Sequence, residues 1–158
     1  MRETGMTPEE RLKKMQLELP KAPAPVGAYV PVVRVGSLAW TSGQLPMREG
    51  KLLCAGTVGG EVEMEAAAEC ARVAALNALA ALAGTLGNLT KVKRIVQMVG
   101  YVASAPEFTQ QHLVLNKASE FLVEVFGEAG RHTRAAVGVN SLPLNAPVEV
   151  MLLVEVTD

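Results

Sequence analysis

The segment Val148–Val156, VEVMLLVEV, limits the fold of this chain more than any other stretch. In an extended strand, successive side chains point to opposite faces. Val148, Val150, Leu152 and Val154 therefore point one way, and Met151 and Leu153 the other. Val92–Ala103 has the same character, with Val96, Met98 and Val102 expected to oppose Ile95, Val99 and Tyr101. A sheet covered by helices on one side alternates apolar with polar residues. These strands are apolar on both sides, so both faces of their sheet must be covered.

The chain offers only two long helices for that purpose. Glu61–Leu86 reads as an Ala-rich helix, with Glu61, Glu63 and Glu65 at its positive end and Gly87-Asn88 as its C-cap. Pro106–Phe126 reads as the second, with Val114, Ala118, Phe121, Leu122 and Val125 on one face and Gly127 as its stop. Tyr29–Val35 and Leu38–Leu45 flank Gly36-Ser37, a hairpin signal. Pro46–Lys51 is a second turn and Leu52–Ala55 a short third strand. Arg134–Asn140 and Val148–Val156 are two further strands, joined through Leu142-Pro143-Leu144-Asn145.

Ahead of these, Thr7-Pro8-Glu9-Glu10 is a capping box opening a short helix with Leu12 and Met15 on one side. Pro20, Pro23 and Pro25 make the stretch after it extended. Residues 1–25 are expected to be an arm and residues 26–158 the domain. The order β-β-β-α-β-α-β-β gives an α+β fold, one mixed sheet with two helices on a single face. The economical cover for the other face is a second copy of the chain.

Composition excludes several classes. The chain has 158 residues, 49% hydrophobic and 20% charged, which suits one globular domain and not a disordered segment. Fifteen Lys and Arg against sixteen Asp and Glu give a net charge of −1, a poor match for nucleic acid. Cys54 and Cys70 are too few for a disulfide framework and read as small buried hydrophobes in a reducing compartment. His112 and His132 stand alone, with no HExxH and no Cys/His cluster, so no metal site is expected. The N-terminus is charged where a signal peptide would be apolar. The run Val73–Leu86 is shorter than the roughly 18 residues of a membrane span and contains Asn77. A soluble, cytoplasmic protein without membrane or nucleic-acid partners is expected.

The chemistry is concentrated near the C-terminus. Along Arg134–Asn140, alternation puts Arg134, Ala136, Gly138 and Asn140 on one face. A guanidinium beside almost no side-chain bulk makes a recess whose wall offers a planar donor fork, matched to a carboxylate. The competing reading is an arginine paired to a neighbouring acid. Glu149 lies among Val148, Val150 and Met151, where an acid is either paired, at a subunit edge, or positioned to hold a water. If the last two strands pair, a salt bridge between Arg134 and Glu149 is the plain alternative to a catalytic pair. Ser42 lacks the GxSxG elbow of a hydrolase. Tyr29 suits core, interface or pocket lining, and Asn116 is simplest as a polar residue on the second helix. Arg131 and His132 precede the Arg134 strand in a loop, where they suit a pocket mouth or, more simply, solvent exposure.

APVGAYVPVVRVGSLAWTSGQLP, GNLTKVKRIVQMVGYV and RAAVGVNSLPLNAPVEV together resemble the RidA family, also called YjgF-like, of reactive-intermediate imine deaminases. Older naming calls its members L-PSP endoribonucleases. The likeness runs over roughly residues 22–156. It implies a chorismate-mutase-like fold, assembled as a homotrimer with inward-facing sheets and ligand pockets in the clefts between subunits. By position, Arg134 matches the family's carboxylate-clamping arginine and Glu149 the glutamate that orients a water. Tyr29, Ser42, Gly43 and Asn116 match pocket positions, and Ala136 replaces a frequent cysteine. Ala28 stands where a proline is common, His132-Thr133 replaces Pro-Ala with one extra loop residue, and the N-terminal arm is longer than in compact members.

The resemblance implies hydrolysis of 2-imino acids, released by pyridoxal-phosphate enzymes, to 2-keto acids and ammonia. It implies no cofactor for this chain, because an imine is already electrophilic. A non-catalytic trimer that senses small carboxylates is the alternative. An endoribonuclease has little support from a chain with no basic stripe and no paired histidines.

Overall fold

The computed structural model describes residues 5–22, 24–25 and 27–158. Residues 1–4 of the expected arm, Pro23 in its connector and Val26 at the expected start of the domain lie outside the described residues.

The two strands that are apolar on both sides form the centre of the fold. A five-stranded sheet has the order β1-β2-β7-β5-β6. Its strands are β1 (Val32–Val35), β2 (Leu38–Thr41), β5 (Val92–Ala103), β6 (Thr133–Val139) and β7 (Val148–Val156). β1 and β2 form the expected hairpin closed at Val35 and Leu38, and only the β5–β6 pairing is parallel. Helices α2 (Met64–Leu86) and α3 (Gln111–Phe126) pack together on one face of the sheet. On β7 the five residues Val148, Val150, Leu152, Val154 and Val156 are buried beneath them, while the residues between are only half-buried.

The structure decides four points of the sequence reading. The first is the pairing of the last two strands, which the sequence leaves open: they do not pair, because β5 lies between β6 and β7 and bonds to both. The link from β6 to β7 crosses the end of β5, where Ala103 N–H donates to Pro147 O and Ser104 N–H to Val139 O. The second is the facing of Ile95. A bulge between Ile95 and Gln97 shifts the alternation, so Ile95 joins Met98 and Val102 in the core while Val96 is only half-buried.

The third is the short strand after the hairpin. It is no part of the main sheet, but pairs as β4 (Lys51–Leu52) with β3 (Met47–Arg48) in a sheet of two strands. Buried Asn77 on α2 holds this hairpin, its Nδ2 donating to Leu45 O and Met47 O, each at 2.9 Å. The fourth is Cys54, which is half-buried; only Cys70 is fully inside, and the two Sγ atoms lie 2.7 Å apart. Burial pushes the Cys70 thiol well above its ordinary range.

Both long helices start later than the sequence suggests. Glu61 is taken up by a turn, its Oε2 accepting from Thr57 N–H at 2.9 Å, while Val58 bonds to Ala103 and Ala105. Those bonds keep residues near 57–62 out of α2. α2 is long and apolar enough to cross a bilayer by length and composition, yet 72% of its most apolar window is buried inside the fold. Its apolar surface is spent on the core. Helix α1 (Pro8–Lys14) opens with the expected capping box, in which Thr7 Oγ1 accepts from Glu10 N–H and Glu10 accepts from Thr7 N–H. It lies against α3 with Leu12 buried, and Arg11 donates to Glu124 O.

Among the described residues, no helix or further strand covers the opposite face of the sheet. Val33, Val35, Trp40 and Val137 are exposed there, Val35 to 63%.

The 3-10 turn Gly127–Gly130 between α3 and β6 depends on a close approach. A Cβ at Gly130 would collide with Leu122 O and stand 2.8 Å from Val123 Cα. Backbone cannot yield as a side chain can, so Gly130→Ala should destabilise by about 3 kcal/mol. Thermal melting should show a fall of roughly 6–12 °C, and an unchanged Tm would mean that the turn is not packed as described.

Candidate functional site

β6 is an edge strand, and its two faces differ. Arg134 sits in register with Met98 and, across β5, Leu152, both buried under the helices. Ala136 and Gly138 follow on the same face and remain exposed. This is the expected row of one guanidinium beside minimal bulk.

The expected acid partner is missing. Among the described residues no carboxylate pairs with Arg134. Its guanidinium lies instead along α3, where neutral acceptors hold the charge. Nη1 donates to Asn116 Oδ1 at 3.0 Å and to Ser119 Oγ at 3.1 Å, and Nη2 donates to His112 O at 3.2 Å. A guanidinium has five N–H donors. The Nε–H and one N–H on Nη2 are left without an acceptor among the described residues. A fixed cation with two unused donors on adjacent nitrogens is suited to a carboxylate.

Glu149 occupies the other face. It lies in register with Tyr101, which is itself in register with Val137 on the open side of the sheet. A salt bridge between Arg134 and Glu149 within one chain is therefore ruled out by the alternation, with β5 between their strands. Burial raises the Glu149 carboxyl above its ordinary value. Among the described residues no hydrogen bond is made to it. Its side chain lies on Gly43, where any added Cβ would collide with Oε1.

Gly43 is placed there by an interruption in pairing. Leu152 N–H donates to the Thr41 hydroxyl at 2.9 Å, and pairing with β7 resumes through Gln44 and Val150. Ser42 and Gly43 bow out between. Ser42 Oγ donates to Val30 O at 2.6 Å, so this hydroxyl is committed to the backbone. Tyr29, next to Val30, is 53% exposed. The predicted residues thus fall into two groups: Arg134, Asn116 and Ala136 at the β6 edge, and Glu149 with Gly43, near Ser42 and Tyr29.

Two more residues join the site: one that the sequence reading misses, and one that it weighs for a pocket mouth but favours for solvent. Ser119, about one turn beyond Asn116 on α3, completes the anchor of Arg134. His132, expected in solvent, is half-buried and bonds to Ser119. Arg131 beside it is exposed and bonds to Glu128, as expected of a loop residue. The periodicity of α3 puts Asn116 and Ser119 on one face, but only the folded chain brings β6 to that face. A hollow of about 890 Å³ beside α1 contains none of the predicted site residues.

The raised Glu149 carboxyl has a consequence for stability. The folded chain holds this proton more tightly than the unfolded chain does, so ionisation of Glu149 destabilises the fold as pH rises through the raised value. Glu149→Gln should melt higher than wild type at about pH 7.5 and level with it near pH 3.5. A calorimetric pH series checks this, and a variant that melts lower at the higher pH would contradict an unpaired, desolvated carboxylate.

Known proteins share this arrangement of elements. The family described as "YjgF/chorismate_mutase-like, putative endoribonuclease" matches residues 9–156. Protein TCP17 of Trypanosoma cruzi is 40% identical over 148 residues, covering 93% of this chain and 92% of that protein. The crystal structure of Atu1372 from Agrobacterium tumefaciens, a protein of unknown function, is 46% identical with a TM-score of 0.89, over 95% of this chain and 92% of the other. E. coli TdcF, solved with bound serine, is similar in fold at 22% identity and a TM-score of 0.62, over 87% and 94%. With its mixed sheet, paired helices and a family match that runs nearly from end to end, this chain belongs to the YjgF/chorismate-mutase-like, or RidA-like, family.

Proposed function

We propose that this protein hydrolyses 2-imino acids, or the enamines that tautomerise to them, giving 2-keto acids and ammonia. The observation that carries this reading is Arg134: a cation fixed by three neutral acceptors, free of any acid among the described residues, with two donors unused. Such a group binds a small carboxylate. The serine bound to TdcF is a molecule of that class.

The clamp holds the substrate carboxylate and so fixes the adjacent C=N carbon. Glu149 takes a proton from water as the water oxygen bonds to that carbon. Its raised carboxyl is a stronger base than an ordinary glutamate. Glu149 passes that proton to the imine nitrogen; the new hydroxyl then gives up its proton, which reaches the amine as the C–N bond breaks, leaving a ketone and ammonia. Backbone groups near Gly43 and Ala136 lie beside the developing charge. An imine is electrophilic by itself, so orientation supplies much of the acceleration and the scheme uses no cofactor.

Arg134 and Glu149 lie on opposite faces of one sheet, so the scheme draws them from different copies of the chain. A homotrimer packed through the open sheet faces covers Val33, Val35, Trp40 and Val137 and brings the two groups together across each cleft. We infer a soluble, cytoplasmic enzyme that binds neither nucleic acid nor membrane. The endoribonuclease wording in the family description finds no matching chemistry in a chain of net charge −1.

Arg134→Ala should lower kcat/KM for freshly generated 2-aminoacrylate by about 100-fold, the effect of losing a charge-assisted contact of about 3 kcal/mol. A coupled keto-acid assay measures this; wild-type turnover absent altogether, with small carboxylates still bound, would favour a sensor over an enzyme. Trp40→Glu, a charge on the open face, should convert a particle of three times the chain mass of 16.7 kDa into monomer on light scattering. A wild type that is itself monomeric would remove the shared cleft.

A further inference from the structure

Arg134 is held by more than α3. Ser119 Oγ lies 3.1 Å from Arg134 Nη1 and 2.9 Å from His132 Nε2, and His132 Nδ1 lies 2.6 Å from Gly130 O. The direction of each bond follows from what each atom can do. A carbonyl oxygen only accepts, so His132 Nδ1 carries a proton. A neutral ring then offers a lone pair at Nε2, and the Ser119 hydroxyl donates its one hydrogen there. With that hydrogen committed, Ser119 Oγ presents only lone pairs to the guanidinium. Burial lowers the tendency of His132 to take a second proton, and the Arg134 charge acts in the same sense against the opposing pull of the Gly130 carbonyl.

We propose that His132 and Ser119 are positioning residues for the carboxylate clamp: a directed chain of hydrogen bonds from Gly130 O through both side chains fixes Arg134, leaving its Nε–H and one Nη2–H for the ligand. The proposal rests on Arg134 being the clamp. Without His132, the Ser119 hydroxyl is free to turn its hydrogen toward Nη1 and lose the bond. The guanidinium is then held by Asn116 and His112 O alone, and it pays more ordering entropy when a carboxylate binds. The anchor at Gly130 is possible because that residue has no Cβ where the chain meets Leu122.

Two substitutions separate positioning from simple packing. In His132→Gln, the side-chain carbonyl reaches the place of Nε2 and accepts from Ser119. In His132→Asn, the shorter amide replaces Nδ1–H toward Gly130 O and stops short of Ser119. The probe is benzoate, titrated calorimetrically at about pH 7.5. His132→Asn and Ser119→Ala should each weaken binding about tenfold, the effect of one lost hydrogen bond to a charged group. His132→Gln should stay within about twofold of wild type. Nitrogen NMR of the wild-type protein should show the Nδ1–H tautomer of His132, with the Nε2 resonance displaced in Ser119→Ala.

If Arg134→Ala binds benzoate as wild type does, the clamp itself is wrong, and the positioning role goes with it. If Arg134→Ala loses binding while Ser119→Ala and His132→Asn keep it, the positioning proposal alone is overturned. An Nε2–H tautomer in the wild-type protein overturns it as well, and that measurement stands even where a His132 variant does not fold.

Discussion

β5 and β7 pair antiparallel at the centre of the sheet, and both carry apolar side chains on each face. A strand pair of this kind is stable only where both faces are dry. α2 and α3 dry one of them. The Ala-rich stretch of α2 is buried almost all round, lying between the sheet, α3 and the small β3–β4 hairpin. Small side chains let these layers approach closely, and Asn77 is accepted inside because two backbone carbonyls receive its amide hydrogens. The other face, with Val35 and Trp40 exposed, is the part of the burial that one chain leaves undone.

The chemistry follows from the same layout. An edge strand that runs parallel to its neighbour needs a crossover, and α3 is that crossover. It therefore lies directly over the helix-facing side of β6, where Arg134 emerges. The guanidinium meets an amide oxygen, a hydroxyl and a carbonyl in place of an acid, which keeps its charge available to a ligand. Glu149, one face away, is half-buried against Gly43 with no partner to offset its desolvation. Kept apart in this way, the two groups do not pair with each other within one chain. The stability lost in burying an unpaired carboxylate is the kind of local cost that functional sites carry.

Much of the site was legible in the residues. Arg134 beside Ala136 and Gly138 announces a recess because alternation is a property of any strand, wherever the strand is placed. Glu149 among valines signals an acid that the core does not need. The position of each group was readable, but their relation was not. Pairing of the last two strands would have made Arg134 and Glu149 neighbours, and it was the insertion of β5 between them that set them on different faces. His132 shows the same division. A histidine in a polar loop looks exposed, and its bond to Ser119 exists only because the turn at Gly130 presses β6 against α3.

The sequence by itself determined where strands and helices run, for periodicity, capping residues and glycine stops act through local backbone geometry. β5, β7 and the end of α2 and α3 were set in this way, and so were the α1 capping box and the hairpin at Gly36-Ser37. Tertiary structure decided the facing of Ile95, the late starts of α2 and α3, the isolation of the β3–β4 hairpin and the partners of Arg134. Each of these depends on a bond or contact between residues far apart in the chain, whose free energy appears only once the layers have closed.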